Sequence, residues 1–450
     1  VVALLDRKYR VAVVGGAGMW GRHYLRTYAE HPQCEVVGLV DRARERRDDF
    51  ARRYDVSATF DTVDELLAHT VPDIVSAVVP VGQNFPVVST CAKAGVRVVS
   101  CEKPISASLA EADALVEVCR QHGTLLGCAQ AAWATPYMRQ VVAWIHAGNI
   151  GTLTGAALPG GLPVELSGAG CVQLAALRLV TRREVEWAEG WELPAVDGYV
   201  APGTAAIEAD VPAYGRLGLS GGIVCEIGQP GGDMPTFLSV TGDQGQVWLA
   251  RPRPVLIQGV GPRSTPVVPD FLQEPSEDFF GGTIQRLLDA FDTGEEPVSS
   301  GDDYRRALET AIALKLSAAQ GHQRVELPLS DRSHRLLPHP YRLFGGDVAG
   351  WQSIGYPGPP PVPRELRSLA SFEELGQLNW PDIERLMKAA DPTDLGLALR
   401  QRPKGHQQHA LELLSPAARR AAKAALEGPE PTPEEIQAAQ NRIVDTAHRM

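Results

Sequence analysis

Val11-Ala12-Val13-Val14-Gly15-Gly16-Ala17-Gly18-Met19-Trp20-Gly21 passes from a short apolar, β-rich run into a glycine turn. VAVVG (11–15) predicts a buried strand, and the stretch from Trp20 to about His31 predicts a helix. Each glycine of Gly16-x-Gly18-x-x-Gly21 has a physical task. Gly16 permits the tight turn, Gly18 lets backbone approach a pyrophosphate, and Gly21 lets the helix pack close to the strand. Phosphate then meets the positive end of the helix dipole. Asp41 stands at the end of the next strand, 20 residues past Gly21, where a carboxylate can take ribose hydroxyls. The pattern predicts a dinucleotide site, NAD or NADP. Asp41 favours NAD, and Arg42 beside it keeps a 2′-phosphate open.

Outward from this turn, strands and helices alternate to about Gln130. Strands are expected at EVVGLVD (35–41), DIVSAVVP (73–80), VRVVSCEKP (96–104) and TLLGCAQ (124–130). Helices are expected over 42–54, 85–94 and 108–122. Repeated β-α units mean a doubly wound parallel sheet covered on both faces, a Rossmann domain over 1–130. From 131 to 329 strand-like pieces with short turns predict an α+β domain with a mainly antiparallel open sheet. Residues 330–364 are Pro- and Gly-rich and read as a linker, extended at PGPPPVP, with Tyr341, Phe344, Trp351 and Tyr356 packing its first part on a domain surface. Residues 365–450 show helical spacing at Leu375, Leu378, Ile383, Leu386 and Met387 and again at Ile436, Ala439, Ile443 and Ala447. Asp394, Ser415 and Thr432 are expected N-caps of this small all-α domain.

Composition bounds the classes. With 450 residues and 44% hydrophobic content, the chain can bury several cores. A net charge of -11 argues against nucleic acid and anionic membranes as partners. The basic helix RARERRDDFARR (42–53) is a solvated outer helix. No run approaches the ~20 apolar residues of a membrane span. VVALLDRKYR lacks a basic leader and a cleavage site, although a chain beginning at Val leaves an upstream leader open. The seven cysteines are scattered, without CxxC or Cys/His spacing. Free thiols in a reducing cytoplasm and no metal site are expected.

Cys101-Glu102-Lys103-Pro104 leaves a strand at the carboxyl edge of the sheet, where ligands bind. Together with VVGGAGMWG, Asp41, VVPVGQNFP (78–86), AKAGVRVVSCEKP and AGNIG (147–151), it resembles the Gfo/Idh/MocA oxidoreductases over about residues 8–328. The resemblance implies hydride transfer between NAD(P) and a sugar- or polyol-like substrate. It also implies a second domain whose open sheet often mediates homo-oligomers. It places Lys103 beside nicotinamide and substrate as the catalytic residue. The implied cofactor-binding set is Gly16, Ala17, Gly18, Met19, Trp20, Gly21, Asp41, Arg42, Val79, Pro80, Asn84, Glu102 and Lys103. A desolvated lysine can relay a proton.

The departures matter equally. The family's Gly-x-His-x-x-Asp-x-x-Arg motif aligns with Gly170 to Arg178, so Val172 stands for the acid/base histidine and Ala175 for the aspartate. No histidine occurs between His146 and His322. The family's P-x-x-x-His turn reads Pro80-Val81-Gly82-Gln83-Asn84, and the arginine before its later proline reads as Trp133 ahead of Pro136. Lys103 would then act alone or helped by Glu165 or Gln173. The alternative is a catalytically silent nucleotide-binding scaffold that recruits a partner.

Residues 371–450 are similar to the C-terminal domain of the flagellar motor switch protein FliG. SFEELGQLNWPDIERLMKAADPTDLGLALR, the SPAARR turn and EIQAAQNRIV support it. Asn379-Trp380-Pro381 replaces the family's Asp-Asp-Arg, while Lys388 keeps a basic position. A helical protein-interaction module is expected rather than a torque element.

Overall fold

The computed structural model describes residues 9–129, 137–195, 199, 206–230, 236–250, 253–273, 279–354, 356–378, 380–402, 407, 410–411 and 414–450. Internal contacts divide the chain into two units, Val1–Pro360 and Pro361–Met450.

The first unit begins with a six-stranded parallel sheet in the order β3-β2-β1-β4-β5-β6. Its strands are β1 (Tyr9–Val14), β2 (Cys34–Val40), β3 (Thr59–Phe60), β4 (Ile74–Ala77), β5 (Val98–Cys101) and β6 (Leu125–Gly127). The helices between them are α1 (Gly21–Glu30), α2 (Arg44–Arg53), α3 (Val63–His69), α4 (Asn84–Lys93) and α5 (Leu109–His122). Every residue of β4 and β5 is buried, as strands covered on both faces require. β3 and α3 are not anticipated above. β3 has two residues, too few for a period to show. α3 does carry a start signal, Thr62-Val63-Asp64-Glu65, whose Thr62 hydroxyl accepts from Glu65 N at 3.2 Å.

The glycine turn is tight. A Cβ on Gly21 would lie 2.1 Å from Gly15 O, and one on Gly16 would lie 2.4 Å from Leu39 Cδ1. Gly15, at φ +78°, packs against Val78 O. A side chain at Gly21 would push α1 away from the turn, and one at Gly15 or Gly16 would strike Val78 or Leu39.

After α6 (Met138–Trp144) and β7 (Leu153–Leu158), helix α7 (Cys171–Thr181) leads into the rest of a nine-stranded sheet. Its members are β8 (Val185–Glu192), β9 (Ala213–Leu219), β10 (Ile223–Ile227), β11 (Thr236–Gly242), β12 (Gly245–Ala250), β13 (Val255–Gln258), β14 (Thr265–Val267) and β15 (Val325–Glu326). Among the described residues of this sheet, β7 and β10 pair in parallel and the other pairs are antiparallel. α7 and α9 (Gly301–Ala319) cover one face, while α8 (Phe279–Thr293) returns to α1. α9 starts at a capping box between Ser300 and Asp303. Across the other face the register aligns Val255, Trp248, Ser239, Ala157 and Glu226, with Val224 two residues from Glu226. Val224, Trp248 and Val255 are exposed there.

The segment read as a linker is partly built into this unit. Arg332 pairs with Asp113 and Glu309, and Leu337 bridges Ala209. Two short helices follow, α10 (Pro340–Phe344) and α11 (Gly346–Ala349).

The second unit has its own core, including Leu378, Leu386, Leu395, Ala422 and Ile443. Helices α12 (Trp380–Ala389) and α13 (Pro392–Ala398) are followed by helices over Pro416–Glu427 and Pro433–His448. Ser415 and Thr432 cap the last two. Asp394 does not cap α13. Asp391 does, accepting from Thr393 N and Asp394 N, because Pro392 fits the first helical position. Asp394 instead pairs through both oxygens with Arg442, at 2.8 Å from Nε and 2.5 Å from Nη2. Among the described residues no helix is long and apolar enough to cross a membrane.

Gly21→Ala should lower stability by about 1–3 kcal/mol, since Gly15 O cannot move without dragging the turn. Gly376→Ala, with open space around its Cβ position, should stay within ~0.5 kcal/mol. Calorimetric melting of the two full-length variants checks both.

Candidate functional site

Two loops meet at the carboxyl edge of the parallel sheet. The first is the glycine turn. Among the described residues the N–H groups of Met19 and Trp20, at the start of α1, take no hydrogen-bond acceptor. Open N–H groups at a helix N-terminus suit an anion such as a pyrophosphate. Ala17 N donates to Asp41 Oδ2 at 3.1 Å, and Ala43 N donates to Asp41 Oδ1 at 2.9 Å. Burial raises the Asp41 pKa, against these bonds and the charge of Arg46. Arg42 is exposed. Val79 packs beside Gly15, and Pro80 beside the Cβ position of Gly345. Trp20 packs against Phe280 of α8, with ring centroids 5.2 Å apart. The turn, the open N–H groups and the strand-end acid fit a dinucleotide.

The second loop is the exit of β5. Glu102 is buried and accepts from Tyr24 Oη at 2.5 Å. Asn84 Nδ2 donates to the carbonyls of Glu102, Pro104 and Ile105 at 2.9–3.2 Å. Asn84 is itself buried. Its amide therefore shapes the Glu102–Ile105 backbone. The resemblance implies a cofactor contact for Asn84; its Nδ2 serves the backbone, and its Oδ1 is buried without a partner among the described residues. Lys103 is partly buried, and its Nζ makes no hydrogen bond or ion pair among the described residues. Burial lowers its pKa, helped by the charge of Arg342 and opposed by Glu102 and Glu165.

Glu165 and Arg342 complete the surroundings of Lys103. Glu165 is buried just before the turn that opens α7. Arg342 reaches it from α10, with Nε 2.7 Å from Oε2 and a second bond from Nη2 to Oε1. Asp210 is buried nearby and accepts from Leu166 N at 2.5 Å and from the Ser167 amide and hydroxyl. On α7, Val172 and Ala175 are both buried at 2% exposure or less. Gln173 Oε1 and Tyr304 Oη are buried without a partner among the described residues. The groups missed above are Arg342 and Asp210. Arg342 lies in sequence that reads as a linker, and Asp210 has no motif around it. Trp133, Pro136 and Asn379 lie outside the described residues. All seven cysteines are buried and free. Among the described residues no His/Cys/Asp/Glu group is arranged to hold a metal.

Residues 9–130 match the model of the oxidoreductase family with NAD-binding Rossmann fold, Gfo/Idh/MocA. These residues are a Gfo/Idh/MocA Rossmann domain. Residues 365–450 match the FliG C-terminal domain. The D-xylose 1-dehydrogenase [NADP(+)] of Haloarcula marismortui is 29% identical over 150 residues, covering 32% of this chain and 41% of that protein. The D-apiose dehydrogenase of Paraburkholderia graminis is 25% identical over 146 residues, covering 32% and 38%. The chain thus aligns with only about two fifths of the length of these curated relatives. Among solved structures, the aldose-aldose oxidoreductase of Caulobacter crescentus is 20% identical, with a TM-score of 0.59 over 71% of this chain and all of that one. An Agrobacterium radiobacter oxidoreductase is 19% identical, with a TM-score of 0.57 over 71% of this chain and 98% of that one. The likeness to these structures extends beyond the Rossmann domain and shows a shared fold.

Asp210 supplies a pH test. Its pKa is raised to about 6 by burial first and by Glu165 second. The folded state then binds more protons than the unfolded state between pH 3.8 and 6. The contribution is whole below pH 3.8 and is lost as pH rises through 6, a change of roughly 3 kcal/mol. Asp210→Asn should flatten that decline, which unfolding midpoints at pH 4, 5, 6 and 7 will show.

Proposed function

We propose that the first unit is an NAD(P)-dependent oxidoreductase acting on a CH–OH group of a sugar- or polyol-like substrate. The observation that carries this reading is Lys103, partly buried and without a partner among the described residues, at the exit of a dinucleotide-type sheet. The names of the two curated relatives, both sugar dehydrogenases, support the substrate class. Met19, Trp20 and the glycine turn would hold the pyrophosphate, and Asp41 the adenosine ribose, which favours NAD. Bound nicotinamide would supply the hydride acceptor or donor. Lys103 would take the hydroxyl proton on oxidation and return it on reduction. Its lowered pKa puts more of the neutral amine at working pH. With Val172 and Ala175 apolar, the Glu165–Arg342 pair is the polar wall left beside it. Glu165 would anchor Arg342, and Arg342 would keep Lys103 from holding its proton.

The exposed face carrying Val224, Trp248 and Val255 suits a second copy of the chain, and residues 365–450 suit a protein partner. Free buried thiols suit a reducing compartment such as the cytoplasm.

A screen of sugars and polyols with NAD⁺ and NADP⁺ should reveal turnover. Lys103→Ala should then cut kcat/KM by about 10²–10⁴-fold, well beyond any loss of NADH binding recorded by tryptophan-to-NADH energy transfer. NADH binding with no turnover across the screen would favour the silent scaffold, for which buried Val172 and Ala175 speak.

A further inference from the structure

The chain after β15 does not leave the first unit directly. It runs along the rim of the glycine turn. The Cβ position of Gly82 lies 3.6 Å from Leu343 O, and that of Gly345 lies 2.9 Å from Pro80 Cγ. Beyond this contact Asp347, in α11, meets Arg46 of α2. The pair is two-pronged, with Nη1 3.1 Å from Oδ1 and Nη2 2.7 Å from Oδ2. The third guanidinium nitrogen, Nε, donates to Ala17 O inside the glycine turn at 2.7 Å. Every nitrogen of Arg46 is therefore engaged. Trp351 secures the arrangement. Its indole N–H donates to Asp347 Oδ1 at 3.1 Å, and its ring lies 5.6 Å from the guanidinium carbon.

This cluster sits at the adenosine-ribose end of the site, because Ala17 also donates to Asp41. A ribose 2′-phosphate needs a guanidinium with free donors, in two-point geometry. Arg46 has that geometry and would be the natural partner. Asp347 occupies it. Asp347 also adds a second carboxylate near Asp41, close enough that Asp41 feels its charge.

We propose that Asp347 is a specificity-determining residue, selecting NAD over NADP by occupying Arg46 and repelling a 2′-phosphate. The proposal rests on the dinucleotide reading above and adds its discriminating group from outside the Rossmann domain. Selection by an unfavourable charge is a general route to specificity. A like charge in place of a counter-ion accounts for a change of about tenfold or more.

The test is titration of the full chain with NADH and with NADPH, followed by tryptophan-to-nicotinamide energy transfer. Asp347 is half exposed, so Asp347→Asn should fold. The unmodified chain should bind NADH more tightly. Asp347→Asn should move the NADPH/NADH affinity ratio toward NADPH by about tenfold or more, with NADH affinity within about threefold. Asp347→Glu should keep the original ratio, and adding Arg46→Ala to Asp347→Asn should remove the gain. An unmoved ratio in Asp347→Asn, or a native preference for NADPH, would overturn the proposal while leaving dinucleotide binding intact. If neither nucleotide binds the unmodified chain, the dinucleotide reading falls and this inference with it.

Discussion

Burying several charges in one small volume is the constraint on which the centre of the first unit depends. Glu165 is almost wholly removed from solvent, and an isolated carboxylate there would cost several kcal/mol. Arg342 offsets that cost by covering both carboxylate oxygens. It comes from a segment about 180 residues further along the chain, so this pairing also ties residues 339–349 to α7. The same guanidinium disfavours the charged form of Lys103. One ion pair therefore acts on chain path and on lysine protonation together. Asp210 is managed differently, by donors from Leu166 and Ser167. Those bonds fix the turn before α7 and hence the helix bearing Val172 and Ala175.

The readable part of the molecule is the part with local periodicity. The β1 run, the glycine turn and Asp41 are contiguous or evenly spaced, and each local preference agrees with the sheet it enters. The mixed second sheet was readable as strands because its pieces alternate, as in the Ile223–Ile227 pattern of buried and exposed residues. Its order was not, since strand pairing depends on contacts distant in sequence. The site was readable only where a motif marks it. Lys103 stands in one. Asn84 also stands in one, yet its amide serves the backbone of residues 102–105. Arg342, Asp347 and Arg46 lie in a proline-rich stretch and a charged helix, where nothing local distinguishes a buried pair from a solvated one. Such pairs are set by the tertiary path, and composition alone describes them as a linker and a surface.

Val172 and Ala175 bear on the packing of α7 as well as on the chemistry beside it. Both positions are buried in the face of α7 that joins the main core. Polar groups there would need partners, and apolar ones contribute by burial instead. The charged groups of this region include Glu165 and Arg342, which pair with each other, and Asp210, which is bonded by Leu166 and Ser167. The buried acids are thus paired or hydrogen-bonded, while Lys103 Nζ, Gln173 Oε1 and Tyr304 Oη have no partner among the described residues.

The second unit follows different physics. Its helices are short, and their stability comes from packing around Leu386, Leu395 and Ile443 with caps at Asp391, Ser415 and Thr432. A Cβ on Gly396 would lie 2.2 Å from Ala422 O, so α13 and the Pro416–Glu427 helix cross at backbone contact. Arg400 then closes the end of that helix by bonding Ala425 O and Gly428 O at 2.7–3.1 Å. These interactions are internal to the unit and include no group of the first. The helical fold thus rests on buried contacts and caps, and surface pairs such as Lys388–Glu384, at 2.5 Å, add little to it. Core packing and caps therefore set the form of residues 365–450, the stretch that matches the FliG C-terminal domain.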